Sequence, residues 1–99
     1  MAGSDHFPLP RPVAQELIRT LAGKGEIVIE PKFRQAMNER GITMPLVLRV
    51  LTEGSINQGP QRDDYGDWRC RVRKRVAGRL VRIVVAIHEQ RTLYLITTY

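Results

Sequence analysis

The chain has 99 residues, a formal net charge of +6 and one cysteine, which is enough for a single domain with one modest core and excludes an intramolecular disulfide. No apolar run reaches membrane-spanning length and the N-terminus lacks the apolar segment of a secretion signal, so no membrane association is expected and a cytoplasmic location is. A sequence pI near 10.2 points to a polyanionic partner, nucleic acid first.

Residues 1–12 read as an extended arm, with prolines at positions 8, 10 and 12 and the last of these suited to a first helical turn. A helical layer is expected over 13–54. Ala14, Leu17, Ile18 and Leu21 recur at helical spacing, and this helix should end near Gly23 or Gly25. Glu26 to Ile29 is short and apolar, an edge strand or an extended connector. Pro31 opens a second helix with Phe33, Ala36 and Met37 on successive turns. Gly41 caps it, Thr43 caps the start of a third, and Met44, Val47, Leu48, Val50 and Leu51 form the third helix's buried stripe up to Gly54. Residues 55–67 are polar and turn-rich and read as a mobile loop. Its acids Asp63, Asp64 and Asp67 have no His or Cys at ligand spacing, so an acidic turn is the simpler account and neither metal nor cofactor is expected.

Residues 68–99 read as a three-stranded antiparallel meander. From Trp68 to Arg75 apolar and basic residues alternate with the period of a half-buried strand. Ala77-Gly78 supplies a two-residue turn, and Arg79 to His88 is the next strand. Pairing Val76 with Arg79 places Trp68, Cys70 and Val72 on one face with Val81, Ile83, Val85 and Ile87. The other face gathers Arg69, Arg71, Arg73, Arg75, Arg82 and His88 and sets Arg73 across from Arg82. Like charges in that position cost stability unless an anion lies between them. Arginine stems lying over the sheet with solvated heads would be an alternative. Seven basic residues occur from Arg69 to Arg82 without one acid, which favours the anion. Thr92 to Tyr99 is the last strand. Its turn is uncertain by one residue, and leucines 93 and 95 inward, with Tyr94 on the basic face, is the preferred register. The sum is one α+β domain over 1–99, helices first, packed on one face of an antiparallel sheet.

The run Arg40-Gly41-Ile42, a helix ending at Gly54, a strand, the Gly78 hairpin, a valine-rich strand and the terminal Ile96-Thr97-Thr98-Tyr99 resembles the DUF4258 family, grouped with the RelE/ParE toxins, over residues 27–99. That family's helix usually opens with a histidine, and Lys32 stands there. Residues 62–99 are also similar to the MqsR toxins, with Trp68, Gly78 and His88 at matching positions, although Arg69 and Val81 replace that family's glutamine and tyrosine. The resemblance implies a RelE/ParE-like fold and the toxin of a toxin–antitoxin pair, an endoribonuclease acting on messenger RNA, free or ribosome-bound, and neutralised by an antitoxin protein. The alternative is a non-catalytic module binding nucleic acid or an acidic partner.

Metal-independent RNA cleavage needs proton transfer and cations around the phosphorane. The residues put forward for catalysis are His88, Arg82 and Tyr94. Those put forward for nucleic-acid contact are Lys32, Arg69, Arg71, Arg73, Arg75 and Tyr99. His88 is the titratable group near neutrality in this region, against a plain reading as a solvated or capping histidine. His6, in the arm, is discounted, and Cys70 is read as core filler.

Overall fold

The computed structural model describes residues 8–99, so the first seven residues of the expected arm, His6 among them, lie outside the described residues. Three helices, α1 (Arg11–Lys24), α2 (Pro31–Arg40) and α3 (Met44–Glu53), and five strands, β1 (Ile27–Ile29), β2 (Ser55–Arg62), β3 (Trp68–Val76), β4 (Arg79–His88) and β5 (Thr92–Thr98), form the domain. The helix ends follow local chemistry. Each helix has proline in its first turn, where no amide donor is lost. Gly25 and Gly41 end α1 and α2 in the left-handed conformation, with φ of 75° and 64°. The Thr43 hydroxyl accepts from the Leu46 amide at 3.4 Å.

The sheet order is β1-β5-β4-β3-β2. The β3–β4 hairpin turns on Ala77-Gly78, pairs Val76 with Arg79 and sets Arg73 against Arg82, as the alternation predicts. In β5, Leu93 and Leu95 are fully buried and Tyr94 lies opposite Ala86, so the leucines do face inward. The helices cover that inner face. Ile18, Phe33, Val47 and Leu51 pack with Cys70, Val72, Ile83, Val85 and Leu95 in one cluster. Full burial of each large apolar side chain contributes about 1.5–3 kcal/mol.

Two expectations are corrected. The sheet is mixed, because β1 pairs in parallel with β5 through Ile27–Leu93 and Ile29–Leu95. The edge strand is one of the two readings expected for this stretch, but three residues with one long-range partner carry no sign of the direction in which they pair. The second correction concerns 55–67. Most of this stretch is the edge strand β2, antiparallel to β3, and only residues 63–67 form the turn. The sequence Ser-Ile-Asn-Gln-Gly-Pro-Gln-Arg lacks alternation and carries a Gly-Pro pair, but its register breaks on either side of Gln58, and proline is tolerated on an edge or at a bulge.

Side chains of α1 hold this irregular strand. The Gln15 carboxamide accepts from the Ile56 amide at 2.8 Å and donates to the Gly54 carbonyl at 3.2 Å, while Arg11 Nε donates to the Gly59 carbonyl at 2.9 Å. Gly54 itself joins α3 to β2 at a close approach. A Cβ there would lie 2.7 Å from the Arg73 carbonyl oxygen and would also meet the Val50 carbonyl. Both obstacles are backbone, so they cannot swing aside. Gly54→Ala is therefore expected to cost about 1–3 kcal/mol in urea unfolding; an unchanged midpoint would show that the α3–β2 junction relaxes freely.

Candidate functional site

The face of the sheet away from the helices gathers Arg69, Arg71, Arg73, Arg75 and Arg82. Strand alternation sends Cys70 and Val72 to the core, and burial pushes the Cys70 thiol up to about 12 despite the opposing charge of Arg11, so Cys70 is packing material. Arg69, Arg71, Arg73 and Arg75 stand on the open side. Arg69 lies 3.8 Å from Asp63, and Arg75 donates to the Gly78 carbonyl. Among the described residues, Arg71, Arg73 and Arg82 form no ion pair with a carboxylate.

Tyr99 organises the middle of this face. Its backbone exchanges two hydrogen bonds of 3.0 Å with Arg82, so it is pinned to the sheet. Its ring lies 5.2 Å from the Arg71 guanidinium carbon and 5.7 Å from that of Arg82, and cation–π attraction offsets part of their repulsion. Arg71 Nε and Asn57 Oδ1 are buried without a hydrogen-bond partner, an uncommon state for polar atoms in a folded protein. Arg71 Nε is a donor without an acceptor, and Asn57 Oδ1 an acceptor without a donor.

His88 lies at the far end of β4, six residues from Arg82, roughly 20 Å at the ~3.3 Å rise of a strand. Its Nδ1 is 2.7 Å from Asp67 Oδ1. Asp67 is delivered by the 63–67 turn, in which Asp63 Oδ1 accepts from the amides of Tyr65 and Asp67, both at 2.9 Å, and Gly66 takes a φ of 82°. The Tyr94 ring meets His88 edge to face with centroids 5.4 Å apart, and Glu89 Oε2 is 3.4 Å from His88 Nε2. A depression lined by Glu30, Asp63, Arg69, Ala86, Tyr94 and Ile96 opens beside the imidazole, and a cleft of about 620 Å³ also borders it. Among the described residues, no three His, Cys, Asp or Glu side chains converge as a metal-binding group.

The Asp67 hydrogen bond holds the His88 pKa above its ordinary value of 6.5; slight burial opposes the shift, and the charges of Asp67 and Glu89 add to it. Asp67 holds Nδ1 closely, whereas Nε2 has only the longer contact with Glu89, an exposed side chain that a bound molecule would have to displace to reach this nitrogen.

The residues singled out from the sequence thus fall into separate groups. His88 and Tyr94 meet, with Arg69 beside the same depression. Arg82 is not with them; it joins Arg71 and Tyr99. Lys32 is exposed in the first turn of α2 and is not among the residues around His88. Sequence reasoning missed Asp67 and Asp63. A signal was present, since one step beyond the last hairpin pair, Trp68–Ile87, sets Asp67 opposite His88.

Fold and site define a small α+β domain with an arginine-lined sheet face that ends in a histidine–carboxylate pair. A family model described as a domain of unknown function, DUF4258, matches residues 29–99, and the chain belongs to that family. No curated protein matches the sequence significantly. No helix among the described residues is long and apolar enough to cross a membrane.

The Asp67 contact has a measurable pH signature. Because the folded-state pKa of His88 is raised, the stabilisation is fully present below the unfolded value of about 6.5 and is lost as pH rises through the folded value. Asp67→Asn should move the His88 titration, followed by NMR of the ring protons, down toward the ordinary value. The stability difference between wild type and variant should shrink as pH rises above the wild-type His88 pKa. An unmoved titration curve would remove Asp67 as the cause.

Proposed function

We propose that this protein is a toxin of the RelE/ParE-like kind, an endoribonuclease that cuts messenger RNA on its open sheet face without a metal and is neutralised by a cognate antitoxin. The observation that carries the reading is the His88–Asp67 pair at the end of an arginine face short of counter-charges. The resemblance of Trp68, Gly78 and His88 to positions in the MqsR toxins supports it. Phosphates bind Arg71, Arg73 and Arg82, where guanidinium groups offer paired donors.

The 2′-hydroxyl attacks the phosphorus, its proton passing to solvent, and the bond to the 5′-oxygen breaks. His88 in its imidazolium form protonates that departing oxygen from Nε2, while Asp67 holds the ring and sustains its charge. Arg69, beside the same depression, stabilises the phosphorane charge, and the Tyr94 hydroxyl is available to hydrogen-bond the phosphate. An acid in this role makes cleavage fall as pH rises through the His88 pKa. The antitoxin is a protein whose acidic segment covers the arginines, or whose strand adds to the edge at β1, where Val28 is 41% exposed.

Expression of the wild type in a bacterial host should arrest growth and fragment messenger RNA, and His88→Ala should slow cleavage by about 10²- to 10⁴-fold while binding persists. Intact RNA and normal growth with well-folded wild type, ribosomes present, would sink the nuclease. The Arg71–Tyr99–Arg82 cluster, remote from His88, would then favour the second reading, a non-catalytic module for nucleic acid or an acidic partner. On either reading with nucleic acid, replacing Arg73 and Arg82 together should flatten the log–log salt dependence of binding by about one to two units; an unchanged slope would take these arginines out of the interface.

A further inference from the structure

The cleft beside His88 has a character opposite to that of the arginine face. Its walls include Tyr65 and Trp68, with Ile87 from β4 and the β4–β5 turn residues Glu89 and Gln90. Tyr65 is 85% exposed at the tip of the 63–67 turn, yet its backbone is fixed by Asp63, so a free aromatic plane stands at the mouth of the cleft. The Arg62 guanidinium lies 5.0 Å from the Trp68 ring and adds a second planar group to the wall. Asp67 and Glu89 each turn one oxygen to His88 and give the cleft their remaining carboxylate oxygens, which accept hydrogen bonds from amino groups. The turn adds an independent observation. In the three-residue loop between His88 and Thr92, Glu89 and Gln90 both take positive φ, 51° and 58°, a conformation that favours Asn and Gly. The β3–β4 turn places glycine at its second position, whereas this one keeps two long polar side chains in a strained conformation. Such strain clusters where side chains serve binding.

We infer that this cleft is a nucleobase subsite for single-stranded RNA, with the base stacked on Tyr65 and its amino edge read by the carboxylates and Gln90. The inference rests on the nucleic-acid reading above and specifies how the strand is held: phosphates on the arginines, and the base next to the cut in the cleft. Stacking on exposed aromatic planes is the usual means of holding splayed bases. Carboxylates accept from the exocyclic amino group of cytosine or adenine and find no such donor on the corresponding edge of uracil.

The test uses short 2′-fluoro oligonucleotides, which lack the attacking hydroxyl, differing at one base and carrying a fluorescent end label. Anisotropy reports total binding, and Trp68, the sole tryptophan, reports occupation of the cleft. Cytosine or adenine strands should bind several-fold more tightly than uracil strands and change the Trp68 emission. Tyr65→Ala, at an exposed tip, should fold normally and weaken binding about tenfold. Gln90→Gly should raise Tm and narrow the base preference together. Equal affinity for all bases with silent Trp68 emission, while anisotropy reports a complex, overturns the subsite and leaves the arginines as the whole contact. Absence of any complex overturns the nucleic-acid reading and this inference with it. A base preference accompanied by an uncut 2′-hydroxyl strand sustains the subsite and overturns the nuclease alone.

Discussion

The register of the β3–β4 hairpin is the constraint on which the rest of the molecule depends. Pairing from Val76–Arg79 to Trp68–Ile87 sorts every side chain of two strands between the core and the open face. A slip of one residue would drive Arg69, Arg71, Arg73 and Arg75 beneath the helices and lift Cys70 and Val72 into water. Uncompensated burial of guanidinium groups is so costly that the shifted pairing is no competitor. Core and charged face are two consequences of one alternation, held in place by a turn in which Ala77 and Gly78 both take positive φ.

The same register determines the functional end of the sheet. It brings the close of β4 level with the start of β3, so the turn preceding β3 and the turn following β4 meet at one place. Asp63 shapes the first turn through two amide hydrogen bonds and sets Asp67 against His88. The second turn follows directly and keeps Glu89 and Gln90 in a conformation that glycine would adopt more easily. The opposite hairpin also holds one non-glycine residue at positive φ, Ala77, but follows it with Gly78, where this turn keeps a second long side chain. Arg71 and Arg82 gather around Tyr99 further along the sheet, whereas Arg69 lies beside the histidine.

The helical layer contributes through contacts of a different kind. Helix α1 shields the core and also reaches the sheet edge, where Gln15, Arg11 and Arg19 bond the backbone of β2 and its junction with α3. An irregular edge strand held this way exposes fewer unpaired backbone groups, a standing hazard for sheet edges. It also keeps the flank of β3 in place, so that Arg69 and Arg71 project from a supported strand.

Periodicity alone determined the helices, their caps, the central hairpin and the faces of its side chains, because each of these rests on contacts between near neighbours or on a fixed repeat. Leu93 and Leu95 inward was the preferred choice of two, and buriability decided it. Tertiary structure decided β2, and for β1 it decided between strand and connector and set the parallel direction. Three residues pairing in parallel with β5, and an unpatterned segment pinned by side chains some forty positions earlier, leave no local repeat to read. Arg82's separation from His88 was open to inspection, since both lie on β4. Asp67's place against His88 was half visible: the register implies it, but only the folded turn, with Asp63 spending both amide bonds on its shape, aims the carboxylate at Nδ1. Registers are set by alternation over many residues, whereas the direction of one side chain in a turn is set by a few hydrogen bonds that sequence does not display.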